Sequence, residues 1–347
     1  MNGCAGRVAV VVLNWNNYVE TARCIRSLRS GSPSSLLRIW IVDNGSTDGS
    51  GQQIQREFPE ATVLFTGKNL GFACGVNVGL RGAWREDCDF FLLANNDVEV
   101  LDGFLDQPLK IMRVEPEVGM VTGKCLSRTP PGLILHAGGR IDERSIRGIG
   151  RGPREMDRGQ YDEVCDTQWA AGTLCLIARR TISEVGFLPE AYYFGYEEYE
   201  YSTRTLKRSL RIVYSPKFVC VHGEQSSHKL GHPVLTVYNY TLNKFIYARR
   251  NLTPGQRRIM TLRYFAYLLV LWPLLPGRAS QNCRTLRDFR CRYISGWLAF
   301  FDRNRFERVT LEILTEAQRR IGPSDTWQES WARSDSYCPP INPEISS

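Results

Sequence analysis

Hydrophobic positions in the first hundred residues follow two alternating patterns. Short apolar runs rich in β-branched and aromatic residues predict strands at 7–13, 38–42, 62–65 and 90–93. Between them, apolar residues recur at helical spacing. The three helical faces carry Tyr18, Ala22, Ile25 and Leu28, then Ile54 and Phe58, then Ala73, Val76, Leu80 and Trp84. This alternation of strands and helices predicts an α/β fold with a mostly parallel central sheet flanked by helices.

The second part of the chain has a less regular pattern. WAAGTLCLIARR predicts a strand that runs into a helix, residues 194–210 a helix with an acidic start, and 211–221 a strand ending at His222. From residue 233 the pattern is helical and basic. We therefore expect one domain over residues 1–230, with halves at about 1–115 and 116–230. A basic helical C-terminal extension over 231–320 and a loosely ordered tail over 321–347 would follow.

Polar residues follow three of the four early strands. These residues are Asn14 and Asn16 after the first strand, Asp43, Gly45 and Ser46 after the second, and Asn95, Asn96 and Asp97 after the fourth. Each cluster alone fits a turn, since Asn, Asp and Gly favour turns. However, open parallel sheets bind ligands at the carboxyl ends of their strands. Three clusters at equivalent ends therefore predict a binding site, and without GxGxxG it is not a Rossmann dinucleotide site.

Cysteine usage and apolar run lengths indicate the compartment. The eleven cysteines include no CxxC pair, which argues against a disulfide framework or a structural zinc site and favours a reducing cytosol. The first apolar run is too short for a signal peptide. The apolar run at 264–275 is about half of what a helix needs to cross a bilayer. We expect a cytoplasmic protein.

The positive charge is concentrated near the C-terminus. The formal net charge is +8, and residues 247–292 hold ten Arg but a single acid, Asp288. These charges surround YFAYLLVLWPLL, a pattern typical of a segment that lies on an anionic membrane surface. A core helix with solvated flanks explains the pattern equally well. Nucleic-acid binding is not expected, because no recognition motif accompanies the charge.

The acidic clusters are candidates for metal binding and proton transfer. Asp97 is a hard oxygen ligand for Mg²⁺ or Mn²⁺, which bind one or two carboxylates together with substrate phosphates. In YEEYEY, helical spacing puts Glu197 and Glu200 on one face and points Glu198 elsewhere. One of these carboxylates can remove a hydroxyl proton, and crowding would raise its pKa. The alternative is a solvated acidic helix start favoured by the helix dipole. His222 fits a metal ligand, a phosphate donor or a structural residue.

Together these motifs resemble the family 2 inverting glycosyltransferases of GT-A fold, in particular the rhamnosyltransferase-like branch. The matching stretches are VVVLNWNN, VDNGSTDGS, KNLGFACGVNVGL, FLLANNDV, WAAGTLCLIARRTISEVGFLPE and YFGYEEYEYSTRTLKRSLRIVYSPKFVCVH. The resemblance runs in order over roughly residues 7–310 and implies the GT-A fold. It also implies a nucleoside-diphosphate-sugar donor at the strand ends, bound in the first half, with the acceptor bound in the second.

The resemblance also assigns roles to residues. It implies Asp43 near the base, a nucleotide pocket lined by 69–77, Mg²⁺ or Mn²⁺ at 95–97, His222 beside the diphosphate and metal, and Glu198 as catalytic base. The pocket residues are Asn69, Gly71, Phe72 and Asn77. Two departures matter: Asn95 replaces the first acid of the DxD motif, and Glu198 stands where Asp is usual. Metal binding would then rest on Asp97, while Glu197 and Glu200 remain alternative bases.

The expected function is inverting transfer of a sugar to a hydroxyl group. The branch favours rhamnose from dTDP-rhamnose over a UDP-sugar, and a glycan, a lipid-linked glycan or a small molecule as acceptor. A peripheral position on the inner face of the cell membrane would suit a lipid-linked acceptor. The alternative is a catalytically silent nucleotide-sugar binder in polysaccharide assembly. A nucleotidyltransferase is less favoured, because no phosphate-binding Gly-rich loop follows the first strand.

Overall fold

The four predicted strands and the three helices between them are all present in the first half of the chain. A computed structural model describes residues 7–33, 36–142, 146–223 and 233–266. The elements of the first half are β1 (Val8–Asn14), α1 (Tyr18–Ser30), β2 (Leu37–Asp43), α2 (Ser50–Glu57), β3 (Thr62–Phe65), α3 (Phe72–Trp84) and β4 (Phe90–Asn95). Their apolar runs and helical faces account for their order and type.

Further strands and three more helices follow, and then the two C-terminal helices. They are β5 (Val98–Val100), α4 (Asp106–Val114), β6 (Val118–Ser127), β7 (Ile134–Ala137), β8 (Gly139–Asp142), β9 (Arg147–Gly150), β10 (Cys165–Asp166), β11 (Leu174–Ala178), α5 (Arg179–Val185), α6 (Glu197–Lys207), β12 (Arg211–His222), α7 (Pro233–Asn251) and α8 (Pro254–Ala266). The predicted strand-to-helix segment is β11 and α5, and the acidic helix is α6. The rest of the predicted extension, beyond residue 266, and the predicted tail lie outside the described residues.

The central sheet is mixed. Its order is β3, β2, β1, β4, β11, β6, β12, β10, with β5 and β7 paired to β12 and β6. The first four strands are parallel, as is the β6–β12 pair, whereas β11 is antiparallel to both of its neighbours. All residues of β11 are buried, which its apolar sequence predicts. Its direction depends on the path of the connecting loops, which the apolar pattern does not record.

Two hydrophobic layers cover the sheet, one on each face. Along β1, Val8 and Val10 face the layer that contains α1, while Ala9 and Val11 face the layer that contains α3. This separation follows from the alternation of side chains along a strand. Both layers are nearly closed to solvent, so the loops at the strand ends are held on a rigid base.

The two C-terminal helices pack beside α6. A third cluster contains Phe245, Tyr247 and Ala248 of α7 together with Tyr192 and Tyr196, which precede α6. α7 therefore buries aromatic surface against the segment that leads into the acidic helix.

Within the described ranges, no helix combines the length and the hydrophobicity needed to cross a membrane. The predicted domain boundary at residue 230 stays a prediction.

Candidate active site

Side chains at the ends of β1, β2 and β4 share one hydrogen-bond network. Asn14 at the end of β1 is the register partner of Asp43 at the end of β2, and its Nδ2 donates to Asp43 Oδ2 over 2.9 Å. Thr21 Oγ1 donates to Asn14 Oδ1 (2.8 Å) and accepts from Asn96 Nδ2 (3.0 Å). Asn95 ends β4 beside β1, partly exposed. The structure thus brings the three predicted clusters together, and the network includes Thr21, which the sequence analysis missed.

The turn after β2 is held by its own polar groups. Ser46 N donates to Asp43 Oδ1 (3.0 Å), and Asn16 N donates to Ser46 Oγ (2.9 Å). Gly45 has φ of +75°, and a Cβ there would lie 2.4 Å from the backbone of Lys68. The close approach that requires this glycine is therefore one between two loops of the chain itself. The contacts of Asp43, Gly45, Ser46 and Asn16 with a donor stay predictions.

The start of the predicted pocket segment 69–77 connects two loops. Asn69 Oδ1 accepts from Asn44 Nδ2 (3.1 Å) and from Gly71 N (2.9 Å). Phe72 N donates to Tyr193 O over 2.8 Å. The segment therefore lies between the turn after β2 and the loop that leads into the acidic helix.

Asn77, at the far end of that segment, is fully buried in the fold. Its Nδ2 donates to Leu188 O (2.9 Å) and Glu190 Oε1 (2.8 Å), and its Oδ1 accepts from Leu188 N (3.0 Å). These bonds tie α3 to the loop before α6. The contacts explain Asn77 as a support of the fold, and its part in donor binding stays a prediction.

Asp97 and His222 form a buried pair at the same edge of the sheet. Asp97 Oδ1 lies 3.0 Å from His222 Nε2, and the two residues are 2% and 4% exposed. The antiparallel pairing of β5 with β12 creates this contact, because His222 lies opposite Val98, the residue after Asp97. Among the described residues, Asp97 Oδ2 has no hydrogen-bond donor. A buried carboxylate oxygen without a donor is costly unless a cation or another donor completes it.

A carboxylate beside an imidazole fits a hard or borderline divalent cation. The described residues contain no group of three or more His, Cys, Asp or Glu side chains that can hold a metal. Mg²⁺ is usually bound by one or two protein ligands, with substrate phosphates and water completing its coordination. The pair of Asp97 and His222 matches that type of site, and does not match a metal held by protein ligands alone.

Arg128 lies next to this pair and forms ion pairs with two carboxylates. Its guanidinium donates to Glu20 Oε2 (2.9 Å), lies 2.9 Å from Glu99 Oε1 and contacts the carbonyl of Asp97 (3.4 Å). Arg128 directly follows β6, whose last residue is the register partner of His222. The sequence analysis missed it because only the β6–β12 pairing brings it to the cluster after β4.

The three acidic residues of α6 occupy different environments. Glu200 is 1% exposed and accepts from Tyr192 OH (2.5 Å) and Arg250 Nε (2.8 Å). Both of its carboxylate oxygens are therefore bonded to other parts of the fold. Glu197 is also buried, and burial together with the charge of Glu198 raises its pKa to about 8. Two of the three candidate bases are thus enclosed by protein.

Glu198 is the member of the cluster that remains partly exposed. Its Oε2 accepts from Gly172 N over 2.8 Å. Burial raises the pKa of Glu198, and the Gly172 N–H opposes that shift. A Cβ at Gly172 would lie 3.4 Å from Glu198 Oε2 and 3.6 Å from the Phe72 ring. A carboxylate with a raised pKa therefore lies beside the predicted donor pocket, as a general base requires.

An aromatic group that sequence analysis missed adjoins the acidic helix. The rings of His136 and Trp169 are 5.6 Å apart, and Trp169 is 5.6 Å from Tyr199. Burial, with a smaller contribution from the nearby imidazole of His222, lowers the pKa of His136 to about 4, so the His136 ring is neutral near pH 7. Trp169 begins the WAAG stretch, which was a usable signal, whereas nothing in the sequence connected His136 with this place.

Comparison with known proteins identifies a family domain and related enzymes. Residues 9–174 match the family model described as glycosyl transferase family 2. The chain is 27% identical over 241 residues to N-acetylglucosaminyl-diphospho-decaprenol L-rhamnosyltransferase of Mycobacterium tuberculosis, covering 63% of this chain and 76% of the relative. It is 20% identical over 240 residues to the low-salt glycan biosynthesis hexosyltransferase Agl10 of Haloferax volcanii, covering 69% and 74%.

Solved structures give the fold. Mannosyltransferase PcManGT from Pyrobaculum calidifontis, in complex with GDP-Man and Mn²⁺, aligns with a TM-score of 0.50 at 17% identity, over 95% of this chain and 86% of that one. GalNAc-T7 with UDP, GalNAc and Mn²⁺ aligns with a TM-score of 0.56 at 16% identity, over 75% and 54%. The predicted GT-A fold is confirmed.

The chain is a glycosyltransferase. Residues 9–174 form a glycosyl transferase family 2 domain, and the chain is rhamnosyltransferase-like, as the sequence motifs predicted.

Proposed function

We propose that the protein catalyses inverting transfer of rhamnose from dTDP-rhamnose to a hydroxyl group of a lipid-linked glycan. The proposal rests on two features near the end of β4. One is the partly exposed Glu198, which is bonded to Gly172 N beside the residue that accepts from Asn95 N, and the other is the buried Asp97–His222 pair. The choice of sugar and acceptor is supported by the mycobacterial relative, whose name gives a rhamnosyl transfer and a diphospho-decaprenol acceptor.

Glu198 is the proposed catalytic base. Its raised pKa strengthens it as a proton acceptor, and the N–H of Gly172 fixes one of its two oxygens. The other oxygen then takes the proton from the acceptor hydroxyl as the hydroxyl oxygen attacks the anomeric carbon. Attack from the face opposite the diphosphate inverts that carbon. Glu197 and Glu200 are less suited, because both are closed to solvent.

Asp97 and His222 are the proposed holders of a divalent cation, Mg²⁺ or Mn²⁺. When bound, such an ion supplies charge that stabilises the leaving diphosphate. Arg128, whose charge is paired with Glu20 and Glu99, donates to the backbone carbonyl of Asp97 and helps to hold it in position. Asn95 is proposed to contact the ribose or a water on that ion, and its partial exposure supports this role.

A lipid-linked acceptor requires contact with a membrane surface, and α8 offers one. Ile259 and Leu262 are 54% and 70% exposed, and Arg258 and Arg263 flank them on the same helix. Exposed apolar side chains bordered by Arg suit the interface of an anionic membrane. The proposal therefore includes peripheral binding through α8 on the cytoplasmic membrane face.

Turnover with defined donors tests the proposal. The protein is incubated with dTDP-rhamnose, UDP-sugars or GDP-sugars and a polyprenyl-diphosphate-linked acceptor sugar, with Mg²⁺, Mn²⁺ or EDTA. Product is identified by mass spectrometry and its anomeric configuration by NMR. We expect an inverted rhamnoside, made only with metal. Glu198→Gln should lower kcat by about a hundredfold or more, as loss of a general base does, and Asp97→Asn should remove the metal dependence along with most of the activity.

The exposed Glu184 on α5 gives a matched control, since Glu184→Gln makes the same change away from the site. It should retain full activity. Full activity in Glu198→Gln would move the base to Glu197 or leave the mechanism without a carboxylate base. Retained anomeric configuration in the product would rule out the inverting mechanism.

A further inference from the structure

The turn that leads into α6 has an unusual backbone. Gly195 and Tyr196 have φ of +83° and +76°, and Glu197 begins the helix directly after them. Glycine adopts this region freely, but a tyrosine held there costs about 1–3 kcal/mol and needs surroundings that fix it. The direction of the first turn of α6, and with it the position of Glu198, therefore depends on what holds residues 194–196.

A side chain from α7 bonds this turn. Asn243, which is 1% exposed, donates from Nδ2 to Phe194 O (2.8 Å) and to Gly195 O (2.7 Å). The amide of Asn243 thus donates hydrogen bonds to two consecutive backbone carbonyls. Each such hydrogen bond contributes about 0.5–1.5 kcal/mol net, so two bonds from one amide favour the observed turn. No capping hydrogen bond comes from the side chain of Tyr196 at the α6 N-terminus.

Other contacts between α6 and α7 lie further along α6. Tyr247 OH is 2.7 Å from Thr203 Oγ1, and Arg250 donates to Glu200. They secure the body of the helix. The amide of Asn243 acts on the backbone immediately before the acidic cluster.

We infer that Asn243 is a positioning residue for Glu198, an inference that rests on the proposed role of Glu198 as base. Its amide fixes the 194–196 turn, and the turn holds the Glu198 carboxylate at the N–H of Gly172 and in line with the acceptor hydroxyl. Asn243 does this through the backbone, without a role in donor binding. Under this inference, α7 contributes to catalysis by holding Glu198 in position.

The kinetic test compares two Asn→Asp substitutions on α7. Asn243→Asp replaces the donating NH₂ with an oxygen that repels both carbonyls, at almost unchanged size. Asn251→Asp makes the same change at the end of α7, where Nδ2 donates to Tyr247 O (3.1 Å). Its Oδ1, which the substitution keeps, accepts from Lys207 at the far end of α6 (3.5 Å), away from the 194–196 turn. We expect Asn243→Asp to lower kcat about tenfold to a hundredfold, the cost of small misplacements, with the Kd for dTDP unchanged. Asn251→Asp should behave as wild type.

Coupling to Glu198 separates positioning from general damage. In a Glu198→Gln background, Asn243→Asp should cause no further loss of kcat, because residues that act as a unit are non-additive. Full additivity, wild-type kcat in Asn243→Asp, or a dTDP Kd that weakens as much as kcat falls would each overturn the inference.

Hydrogen exchange tests the same inference without any turnover. Amides of residues 194–200 should exchange faster in Asn243→Asp than in wild type or Asn251→Asp, while β1 and β4 stay unchanged. Unchanged exchange at 194–200 would overturn the inference. If Asn243→Asp does not fold, Asn243→Ala removes the donor without repulsion and is held to the same outcomes. If the wild-type protein turns over no donor, the proposed function fails, and exchange still decides whether Asn243 holds the turn.

Discussion

At the scale of single residues, Glu197 shows how the acidic cluster couples charge to stability. Its carboxyl group has an ordinary pKa near 4.5 when exposed, and burial beside Glu198 raises it to about 8 in the fold. The folded protein therefore binds a proton that the unfolded chain releases between these values. Stability falls as pH rises through this window, by up to about 1.4 kcal/mol per pH unit.

Glu197→Gln should remove this contribution, because Gln is neutral at every pH and similar in shape. The expected result is a difference in Tm, variant minus wild type, that increases steadily from pH 5 to pH 8. Differential scanning calorimetry across that range measures it. Glu184→Gln on the exposed face of α5 is the control, and its difference should stay flat. A flat difference for Glu197→Gln would show that the buried carboxyl keeps an ordinary pKa.

At the scale of elements, the loop after β2 depends on a close approach between two segments. Gly45 and Gly49 both have positive φ, +75° and +77°. A Cβ at Gly45 would lie 2.4 Å from the backbone of Lys68, whereas a Cβ at Gly49 would meet nothing within 4 Å. Both positions require a positive φ, and they differ in whether neighbouring atoms leave room for a Cβ.

This pair separates backbone strain from steric overlap. Gly49→Ala should cost about 1–2 kcal/mol, the penalty for a left-handed alanine. Gly45→Ala should cost at least about 1 kcal/mol more, since the overlap is with backbone and forces the loops apart. Urea unfolding measures both, and binding of dTDP by calorimetry should weaken only in Gly45→Ala. Equal costs would mean that the 68–69 loop moves aside freely.

The same elements show what a single sequence reveals about the fold. β1 to β4 and their helices were predicted because each carries a local pattern, apolar runs or one helical face. The antiparallel direction of β11 was not predicted, since its buried run LCLIA is apolar in either direction. The packing of α7 on α6 was also missed, because its contacts join residues about 50 positions apart, as in Asn243 with Phe194.

At the scale of the whole molecule, some residues of the candidate site were predictable from the sequence and others were not. Asn14, Asp43 and Asn95 were predictable because the carboxyl ends of parallel strands must share one edge. Arg128 and His136 reach the site only through the pairing of β6 with β12 and β7. The resemblance to a family singled out Glu198 as base, which stays a prediction. The exposure of the three carboxylates supports it, because Glu197 and Glu200 are buried, whereas Glu198 is half-buried.

The proposed transfer to a lipid-linked acceptor requires the whole molecule to bind a membrane surface, and this binding can be tested. Ile259 and Leu262 of α8 point away from the core, while Met260 between them is buried. Ile259→Asp combined with Leu262→Asp should weaken binding to vesicles containing phosphatidylglycerol by about tenfold or more, given the apolar surface each residue can bury. Cosedimentation measures this directly.

Val114, 69% exposed at the end of α4, provides the matched control, because Val114→Asp removes an equally exposed apolar side chain elsewhere. It should bind as wild type. Arg258→Glu should weaken binding to anionic vesicles by roughly 1 kcal/mol or more and leave the weak binding to phosphatidylcholine unchanged. Equal binding by the α8 double variant and wild type would remove α8 from the membrane contact. Loss of transfer to lipid-linked but not to soluble acceptor would tie the surface to function, because only the former substrate lies in the bilayer.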